Sequence, residues 1–235
     1  MTSASRIKFF TTTAHACSYL ADREAITLFA DPDSDMTADI YSELSDLGFR
    51  RSGNYVYRPQ CKGCRACISV RVPVGLFTPK RNQKRCWKTN HDVQVRLLPP
   101  EWNDEHYALY AQYISERHQD GDMYPPTPRQ YREFLTSDWA STVFVEFRAG
   151  ERLLALAVTD ELKDGLSAVY TFYDTRETWR GLGTYAILWQ VAECRRRGLP
   201  YLFLGYWVRH AERMRYKTQF RPLELLIDGE WLLAR

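Results

Sequence analysis

The chain has 235 residues, of which 45% are hydrophobic and 26% charged, and its formal net charge is +3 at pH 7. These values are ordinary for a soluble globular protein with one large or two small domains. No apolar run is long enough for a transmembrane helix, and the N-terminus lacks the pattern of a signal peptide. A cytoplasmic protein without a membrane partner is therefore expected, and its six cysteines should be thiols or metal ligands.

The first part of the chain predicts one short helix followed by strands. The helix is expected over residues 38–47 and ends at Gly48. Alternating apolar and polar residues then indicate strands within residues 49–75, interrupted by a cysteine-bearing turn. Two consecutive prolines further along the chain mark a boundary. We therefore expect a smaller basic, cysteine-containing region over residues 1–98 and a second domain over residues 99–235.

The sequence of the second domain predicts a longer series of helices and strands, with a loop containing Gly181 and Gly183 before the third helix. Its order resembles that of an N-acetyltransferase-like (GNAT) acyltransferase domain, so the predicted fold class is α/β, more narrowly α+β. Helices are expected at 102–117, 128–135, 184–197 and 210–218. Strands are expected at 142–148, 153–159, 167–173, 201–205, 223–227 and 231–233.

The glycine loop leaves two interpretations open. In members of that fold that bind acyl-CoA, an Arg or Gln stands three residues before the first glycine, and backbone N–H groups hold a pyrophosphate at the helix start. Thr178 has that position here. The loop permits an anionic ligand but argues against acetyl-CoA, and its glycines could simply allow a tight turn. A CoA-dependent N-acetyltransferase is therefore an alternative function.

Positive charge is concentrated between Asp46 and Asp92, where the sequence contains no acidic residue. This stretch of 45 residues holds eleven Lys and Arg side chains, with aromatic residues interleaved among them. Phosphate neutralisation combined with base stacking needs such a mixture, so the stretch predicts contact with a nucleic acid. The alternative is a solvated basic face.

Three cysteines have a spacing typical of metal ligands, Cys61-x2-Cys64-x2-Cys67. Arg71 occupies the position where a ferredoxin-type run has its fourth cysteine, so the candidates for a fourth ligand are Cys17, His15 and Cys86. A zinc or iron–sulfur site and a group of small buried thiols are both open interpretations. A metal-containing nucleic-acid-binding protein without transferase activity is therefore a second alternative function.

Several motifs spread over nearly the whole chain point to one family. They include TAHACSYL (13–20), CKGCRAC (61–67), FTPKRNQKR (77–85), GLSAVYTFYD (165–174), GLPYLFLGYW (198–207) and MRYKTQFRP (214–222). As a set, they resemble the arginyl-tRNA–protein transferase family, and within it the bacterial branch that transfers leucine onto acidic N-termini.

The resemblance implies that leucine moves from leucyl-tRNA to the N-terminal α-amine of proteins beginning with Asp or Glu, which marks them for degradation by the N-end rule pathway. Eukaryotic relatives are longer and transfer arginine, so arginyl-tRNA is the alternative donor. They also carry a Cys-x-x-Cys pair associated with an iron–sulfur cluster, whereas Leu20 follows Cys17 at that spacing here. Because an aminoacyl ester is already activated, no cofactor is expected to be required.

Aminoacyl transfer sets the roles expected of individual residues. The pKa of an α-amine is about 7.7–8.0, so a sizeable fraction is uncharged near neutral pH and a strong base is unnecessary. Asp174 is expected to orient the amine or take its proton, and Tyr173 to donate to the developing oxyanion. The alternative is that Tyr173 belongs to the core and Asp174 caps the following turn.

Charged side chains are expected to hold both substrates. Arginine suits the carboxylate of the acceptor because its guanidinium forms two parallel hydrogen bonds. The candidates for this contact are Arg50, Arg51, Arg58 and Arg71. Contacts with tRNA phosphates are assigned to Lys80, Arg81, Lys84, Arg85, Arg180 and Lys217.

Overall fold

Five α-helices and fourteen strands lie in the part of the chain that this computed structural model describes, residues 7–121 and 123–234. The helices are α1 (Ala38–Asp46), α2 (Arg81–Thr89), α3 (Asp104–Arg117), α4 (Pro128–Leu135) and α5 (Leu182–Arg196). The strands are β1 (Phe9–Thr11), β2 (His15–Ala16), β3 (Glu24–Ala25), β4 (Thr27–Ala30), β5 (Arg50–Ser52), β6 (Tyr55–Pro59), β7 (Cys67–Pro73), β8 (Val93–Leu98), β9 (Thr142–Ala149), β10 (Arg152–Leu162), β11 (Gly165–Tyr173), β12 (Tyr201–Val208), β13 (Leu223–Ile227) and β14 (Glu230–Ala234).

The largest sheet has eight strands in the order β14-β13-β7-β12-β11-β10-β9-β8. Its neighbouring strands are antiparallel except β11 and β12, which are parallel. The chain makes this parallel crossover through α5, as a parallel pair requires. None of the helices in the described ranges is long and apolar enough to cross a membrane.

Helices cover both faces of this sheet. On one face, α5 packs against Val145 and Phe147 of β9. On the other, α3 and α4 pack against Phe144 of β9 and Leu156 of β10. Consecutive strand residues point to opposite faces, so these helices form two separate layers with the sheet between them.

A smaller antiparallel sheet, with the order β1-β4-β6-β5, stands beside the large one. Its Val56 packs together with Tyr41 and Leu44 of α1 against Leu162 and Phe203 of the large sheet. This apolar contact brings β5 close to β11 and β12. Strands β2 and β3 form a separate short pair.

The order of elements predicted for the second half of the chain is confirmed, from α3 to the hairpin of β13 and β14. One predicted helix differs in type: the segment expected at 210–218 is a 3₁₀ helix, Glu212–Gln219. A second 3₁₀ turn, Thr178–Arg180, precedes α5. Helix α2 and strand β8 were not predicted.

The two predicted regions share the large sheet. Strand β7 lies between β12 and β13, and β8 pairs with β9. Both β7 and β8 precede residue 99, so the predicted division after residue 98 does not coincide with a division of the sheet. A separate cysteine-containing region over residues 1–98 therefore stays a prediction.

Candidate active site

A cleft opens in the large sheet where β11 and β12 separate. The two strands pair only at their starts, from Gly165 opposite Tyr201 to Ser167 opposite Phe203. Further along, β11 continues to pair with β10 and β12 with β7, so their later halves face a gap. The register of β12 shifts at Gly205, whose φ of +77° is a backbone conformation that favours glycine. We call this gap the β11–β12 cleft.

Arg50 reaches the β11–β12 cleft from β5 and is 8% exposed. Its Nη2 donates a hydrogen bond to the carbonyl oxygen of Ala168 on β11, at 2.9 Å. A Cβ at Gly205 on β12 would lie 3.2 Å from Arg50 Nε, so a side chain there would crowd the guanidinium. Nη1 is buried without a hydrogen-bond partner, and no described carboxylate pairs with Arg50. Arg50 is therefore a buried cation with an unused hydrogen-bond donor.

Lys217 places a second buried cation at this cleft. It belongs to the 3₁₀ helix Glu212–Gln219, is 7% exposed, and its Nζ donates to the carbonyl oxygen of Tyr206 on β12 at 2.6 Å. Burial, and then the nearby positive charge of Arg50, lower the pKa of Lys217 to about 7. A lysine with this pKa can gain or lose a proton near neutral pH.

Tyrosines lie near the two cations, and Lys217 Nζ is 5.9 Å from the ring centroid of Tyr216. The rings of Tyr113 on α3 and Tyr173 on β11 have their centroids 4.9 Å apart, and Tyr170 lies edge-on to Tyr113. Burial, and then the neighbouring Tyr173, raise the pKa of Tyr113. Burial raises the pKa of Tyr216 to about 12, although 44% of the residue is exposed. Tyr113 and Tyr216 therefore stay protonated at neutral pH and can donate hydrogen bonds to a ligand.

The two residues predicted to be catalytic have different surroundings. Tyr173 contacts Tyr113 at the cleft. Asp174 is 2% exposed, and its carboxylate accepts hydrogen bonds from Arg176 Nε at 2.8 Å, Nη2 at 2.9 Å and the backbone N–H at 3.1 Å. The side-chain hydrogen bond from Arg176 lowers the pKa of Asp174. A carboxylate held in this way is a weak proton acceptor, which favours the alternative that Asp174 caps the turn.

Two of the four arginines predicted for the acceptor are engaged by carboxylates of the chain. Arg51 donates to Asp160 from Nε at 2.6 Å and from Nη2 at 2.7 Å, with both side chains fully buried. Arg71 pairs with Glu224 at 2.7 Å and with Asp46 at 3.1 Å. Because these carboxylates occupy the guanidinium edges, the contacts favour structural roles for Arg51 and Arg71.

Arg58 lies on β6, with its guanidinium 4.9 Å from the ring centroid of Phe49. Its Nη1 donates to the carbonyl oxygen of Leu47 at 3.2 Å. Neither of these two partners belongs to β11 or β12, the strands that form the cleft. Of the four predicted arginines, Arg50 is the one with described contacts to both cleft strands.

The residues predicted to bind tRNA fall into two groups. Arg180 and Lys217 are 6% and 7% exposed, and Arg180 forms ion pairs with Asp92 and Glu177. The two carboxylates favour a structural role for Arg180, and the Lys217 Nζ is engaged by the carbonyl oxygen of Tyr206. The other four are exposed on α2 or at its N-cap, where a polyanion can reach them: Lys80, Arg81, Lys84 and Arg85.

The four candidate metal ligands lie near one another. Burial, and then the proximity of Cys17, Cys61 and Cys64, raise the pKa of the Cys67 thiol to about 12. Cys61 Sγ already accepts a hydrogen bond from the N–H of Ile26 at 3.4 Å. In residues 7–121 and 123–234, no group of three His, Cys, Asp or Glu side chains is arranged to hold a metal ion. A metal site at these four cysteines stays a prediction.

Sequence patterns did not single out Tyr113, Tyr170 or Tyr216 for this site. Tyr170 and Tyr216 lie inside the quoted motifs GLSAVYTFYD and MRYKTQFRP, which was the available signal for both. Nothing comparable marks Tyr113, because its place on α3 is also compatible with a core residue.

Comparisons with known proteins place the chain in a family. A family model described as "Arginine-tRNA-protein transferase, N terminus" matches residues 15–85, and one described as "Arginine-tRNA-protein transferase, C terminus" matches residues 105–227. The chain belongs to the arginine-tRNA-protein transferase family. This confirms the resemblance carried by the motifs, and it makes the chain an aminoacyl-tRNA–protein transferase.

Curated relatives are similar along nearly their whole length. The aspartate/glutamate leucyltransferase of Hahella chejuensis is 53% identical over 232 residues, which are 99% of each chain. That of Alcanivorax borkumensis is 54% identical over 231 residues, which cover 98% of this chain and 96% of the relative.

Solved structures show weaker likenesses. L-PGS from Bacillus licheniformis aligns with a TM-score of 0.48 and 10% identity, covering 85% of this chain and 68% of that one. The C-terminal domain of a putative lysylphosphatidylglycerol synthetase from Agrobacterium fabrum aligns with a TM-score of 0.49 and 13% identity, covering 82% of this chain and 62% of that one.

Proposed function

We propose that this transferase moves leucine from leucyl-tRNA to the α-amine of a protein whose first residue is Asp or Glu. The observation that carries the proposal is Arg50, a buried cation in the β11–β12 cleft with an unpartnered Nη1. The aspartate/glutamate leucyltransferases of H. chejuensis and A. borkumensis support leucine as the transferred group. The proposed location is the cytoplasm, where charged tRNA is found, and the modified proteins would enter N-end rule degradation.

The topology supports a GNAT-like acyltransferase domain. Its basis is the antiparallel run β9-β10-β11 followed by a parallel crossover through α5 to β12. The gap between β11 and β12 is then the place where the acyl group and the acceptor amine meet. Cations and tyrosine hydroxyls gather there, which suits an ester carbonyl that develops negative charge.

Acceptor recognition is assigned to Arg50. The side-chain carboxylate of an N-terminal Asp or Glu can accept hydrogen bonds from its guanidinium in a site with little competing water. A hydrogen bond to a charged group contributes about 1.5–3 kcal/mol, enough to prefer Asp over Asn by about tenfold or more.

The transfer itself needs positioning more than strong acid or base catalysis. The acceptor nitrogen attacks the carbonyl carbon of the leucyl ester, forms the new N–C bond and breaks the C–O bond to the terminal ribose. The nitrogen loses one proton and the ribose hydroxyl gains one. The uncharged form of Lys217 can take up the amine proton, and Tyr173 can donate to the oxygen of the tetrahedral intermediate.

Helix α2 packs against the glycine loop that acyl-CoA-binding members of the fold use for the pyrophosphate. Helix α2 lies against the loop: Cys86 Sγ contacts the carbonyl oxygens of Arg180 and Gly181, each at 3.4 Å. Asn90 Nδ2 donates to the same Arg180 oxygen at 2.8 Å. Helix α2 therefore lies beside the turn where a CoA pyrophosphate would bind.

Arg50→Gln tests the assignment of the cleft. We expect kcat/KM for an Asp-initiated peptide to fall about tenfold or more, and the preference for Asp over Asn to approach unity, because the charged hydrogen bonds are lost. Affinity for leucyl-tRNA should not change. Arg96→Gln removes an exposed arginine from β8 and serves as the matched control. A variant that loses tRNA affinity, or keeps its preference for Asp, would overturn the assignment.

A further inference from the structure

An apolar groove separates α2 from α5 on the face of the sheet that carries α5. Its volume is about 400 Å³, and it is open to solvent. Phe77, Pro79 and Trp87 line one side, and Leu188, Val191 and Ala192 line the other. The proposed chemistry in the β11–β12 cleft does not use this groove.

Trp87 presents a flat aromatic surface in the groove. It is 42% exposed, and its ring centroid is 5.3 Å from that of Tyr185 on α5, which supports it from one side. Its remaining surface is available for stacking. Aromatic side chains held in this way bind nucleic-acid bases with little dependence on base identity.

Free positive charge surrounds this apolar surface. Helix α2 contains no acidic residue, and none of its cations is paired with a carboxylate within the described ranges. Lys84 and Lys88 both line the groove and lie one helical turn apart, about 6 Å along the axis. The four exposed cations on α2 are Arg81, Lys84, Arg85 and Lys88.

The combination of an aromatic wall and exposed cations indicates which kind of ligand fits the groove. A second copy of the chain would bring another basic α2 against the first, and the like charges would repel. A purely apolar ligand would leave the lysines without a partner. A nucleotide has both a flat apolar base and an anionic phosphate, so it matches the aromatic wall and the cationic rim together.

The groove lies beside the proposed site of transfer. Gln83 on α2 donates from Nε2 to the carbonyl oxygen of Gln219 at 3.2 Å, two residues after Lys217. The rings of Phe77 and Phe220 have their centroids 6.3 Å apart. Helix α2 is therefore attached to the 3₁₀ helix that carries Lys217, which links the groove to the β11–β12 cleft.

We propose that the groove between α2 and α5 holds an unpaired nucleotide near the 3′ end of the donor tRNA, with its base stacked on Trp87 and its phosphate near Lys84 and Lys88. This assignment rests on the proposed function, which brings a charged tRNA to the adjacent cleft. A stacked base should strengthen tRNA binding by about tenfold or more.

A binding experiment in the form of a double-mutant cycle, with one change in the protein and one in the RNA, tests the site. Affinity for uncharged tRNA-Leu is measured with intact RNA and with RNA that lacks its unpaired 3′ nucleotides, for the unmodified protein, Trp87→Ala, Trp87→Phe and Trp102→Ala. Trp102 is a matched control because it is 38% exposed and packs on α3 and α4, on the opposite face of the sheet.

We expect Trp87→Ala to weaken binding of intact tRNA about tenfold. Binding of the truncated RNA should be unchanged, because the substitution and the truncation remove the same contact between Trp87 and a base. Trp87→Phe should keep most of the affinity, and Trp102→Ala all of it. Equal losses with both RNAs, or none with either, would overturn the proposal. An acidic apolar peptide that binds in place of the tRNA would also overturn it.

An assay of leucine transfer by the same unmodified protein separates this proposal from the proposed function. If leucine is transferred but Trp87→Ala does not weaken tRNA binding in a way that depends on the 3′ nucleotides, the groove assignment is rejected and the proposed function stands. If that dependence is found but no leucine is transferred, the proposed function is rejected and the groove remains an RNA-binding site.

Discussion

Two consecutive arginines on β5, Arg50 and Arg51, have different surroundings in the folded protein. Arg51 is fully buried in an ion pair with Asp160, whereas Arg50 lies between diverging strands and has no carboxylate partner among the described residues. Both belong to the acid-free stretch, so composition could not distinguish them. The partner of Arg51 is 109 residues away along the chain. Only the packing of β5 against β10 and β11 separates a structural arginine from one that can bind substrate.

Removal of the Arg51 partner should destabilise the protein. Asp160→Ala leaves a buried guanidinium without its counter-ion, and a loss of about 3–5 kcal/mol in the free energy of unfolding is expected. Urea denaturation measures this. Glu133→Ala breaks the exposed Arg129–Glu133 pair and should cost less than about 1 kcal/mol. A similar small cost for Asp160→Ala would contradict the structural role of Arg51.

Lys217 should make stability depend on pH. Its pKa is about 7 in the folded protein against 10.5 for a free lysine. Between these values the unfolded chain binds a proton that the folded protein does not, so the free energy of unfolding rises with pH. The slope from this one group approaches about 1.4 kcal/mol per pH unit.

Comparison with Lys217→Met isolates that contribution. The difference in unfolding free energy between the two proteins should change over the range of about pH 7 to 10, as measured by urea denaturation at several pH values. Below that range the buried charge penalises the unmodified protein, and Lys217→Met should be the more stable of the two. A difference that is constant with pH would show that Lys217 titrates normally.

At the scale of elements, sequence patterns were informative where an element buries many apolar residues. Helix α5 and strands β9 to β12 meet that condition, and their order was predicted correctly. Helix α2 buries only Gln83, so its sequence offers no apolar stripe and its helical character was missed. Its position depends on contacts with the loop before α5, which no local pattern encodes.

Helix α2 should account for part of the salt dependence of tRNA binding. Each phosphate contact contributes about 0.7–0.9 to the slope of log affinity against log salt concentration. Lys84→Gln combined with Arg85→Gln should therefore reduce the magnitude of that slope by about 1.4–1.8. Titrations at several salt concentrations measure it, with Arg129→Gln on α4 as the control. An unchanged slope would show that α2 does not follow the tRNA backbone.

At the scale of the whole molecule, the proposed site depends on parts that are distant in sequence. Arg50 comes from the small sheet, Tyr113 from α3, Tyr173 from β11 and Lys217 from the 3₁₀ helix after β12. The motifs identified the family because they are local. The cleft could not be assembled from them, because its geometry arises from the divergence of β11 and β12 and from the insertion of β7 into the large sheet.

The most direct test of aminoacyl transfer uses labelled leucyl-tRNA or arginyl-tRNA and peptides that differ only in their first residue, Asp or Asn. Leucine should appear on the α-amine of the Asp peptide without CoA or a nucleotide, at a kcat/KM about tenfold or more above that for the Asn peptide. No transfer from leucyl-tRNA, or equal transfer to both peptides, would contradict the proposed function; a preference for arginyl-tRNA would contradict leucine as the transferred group.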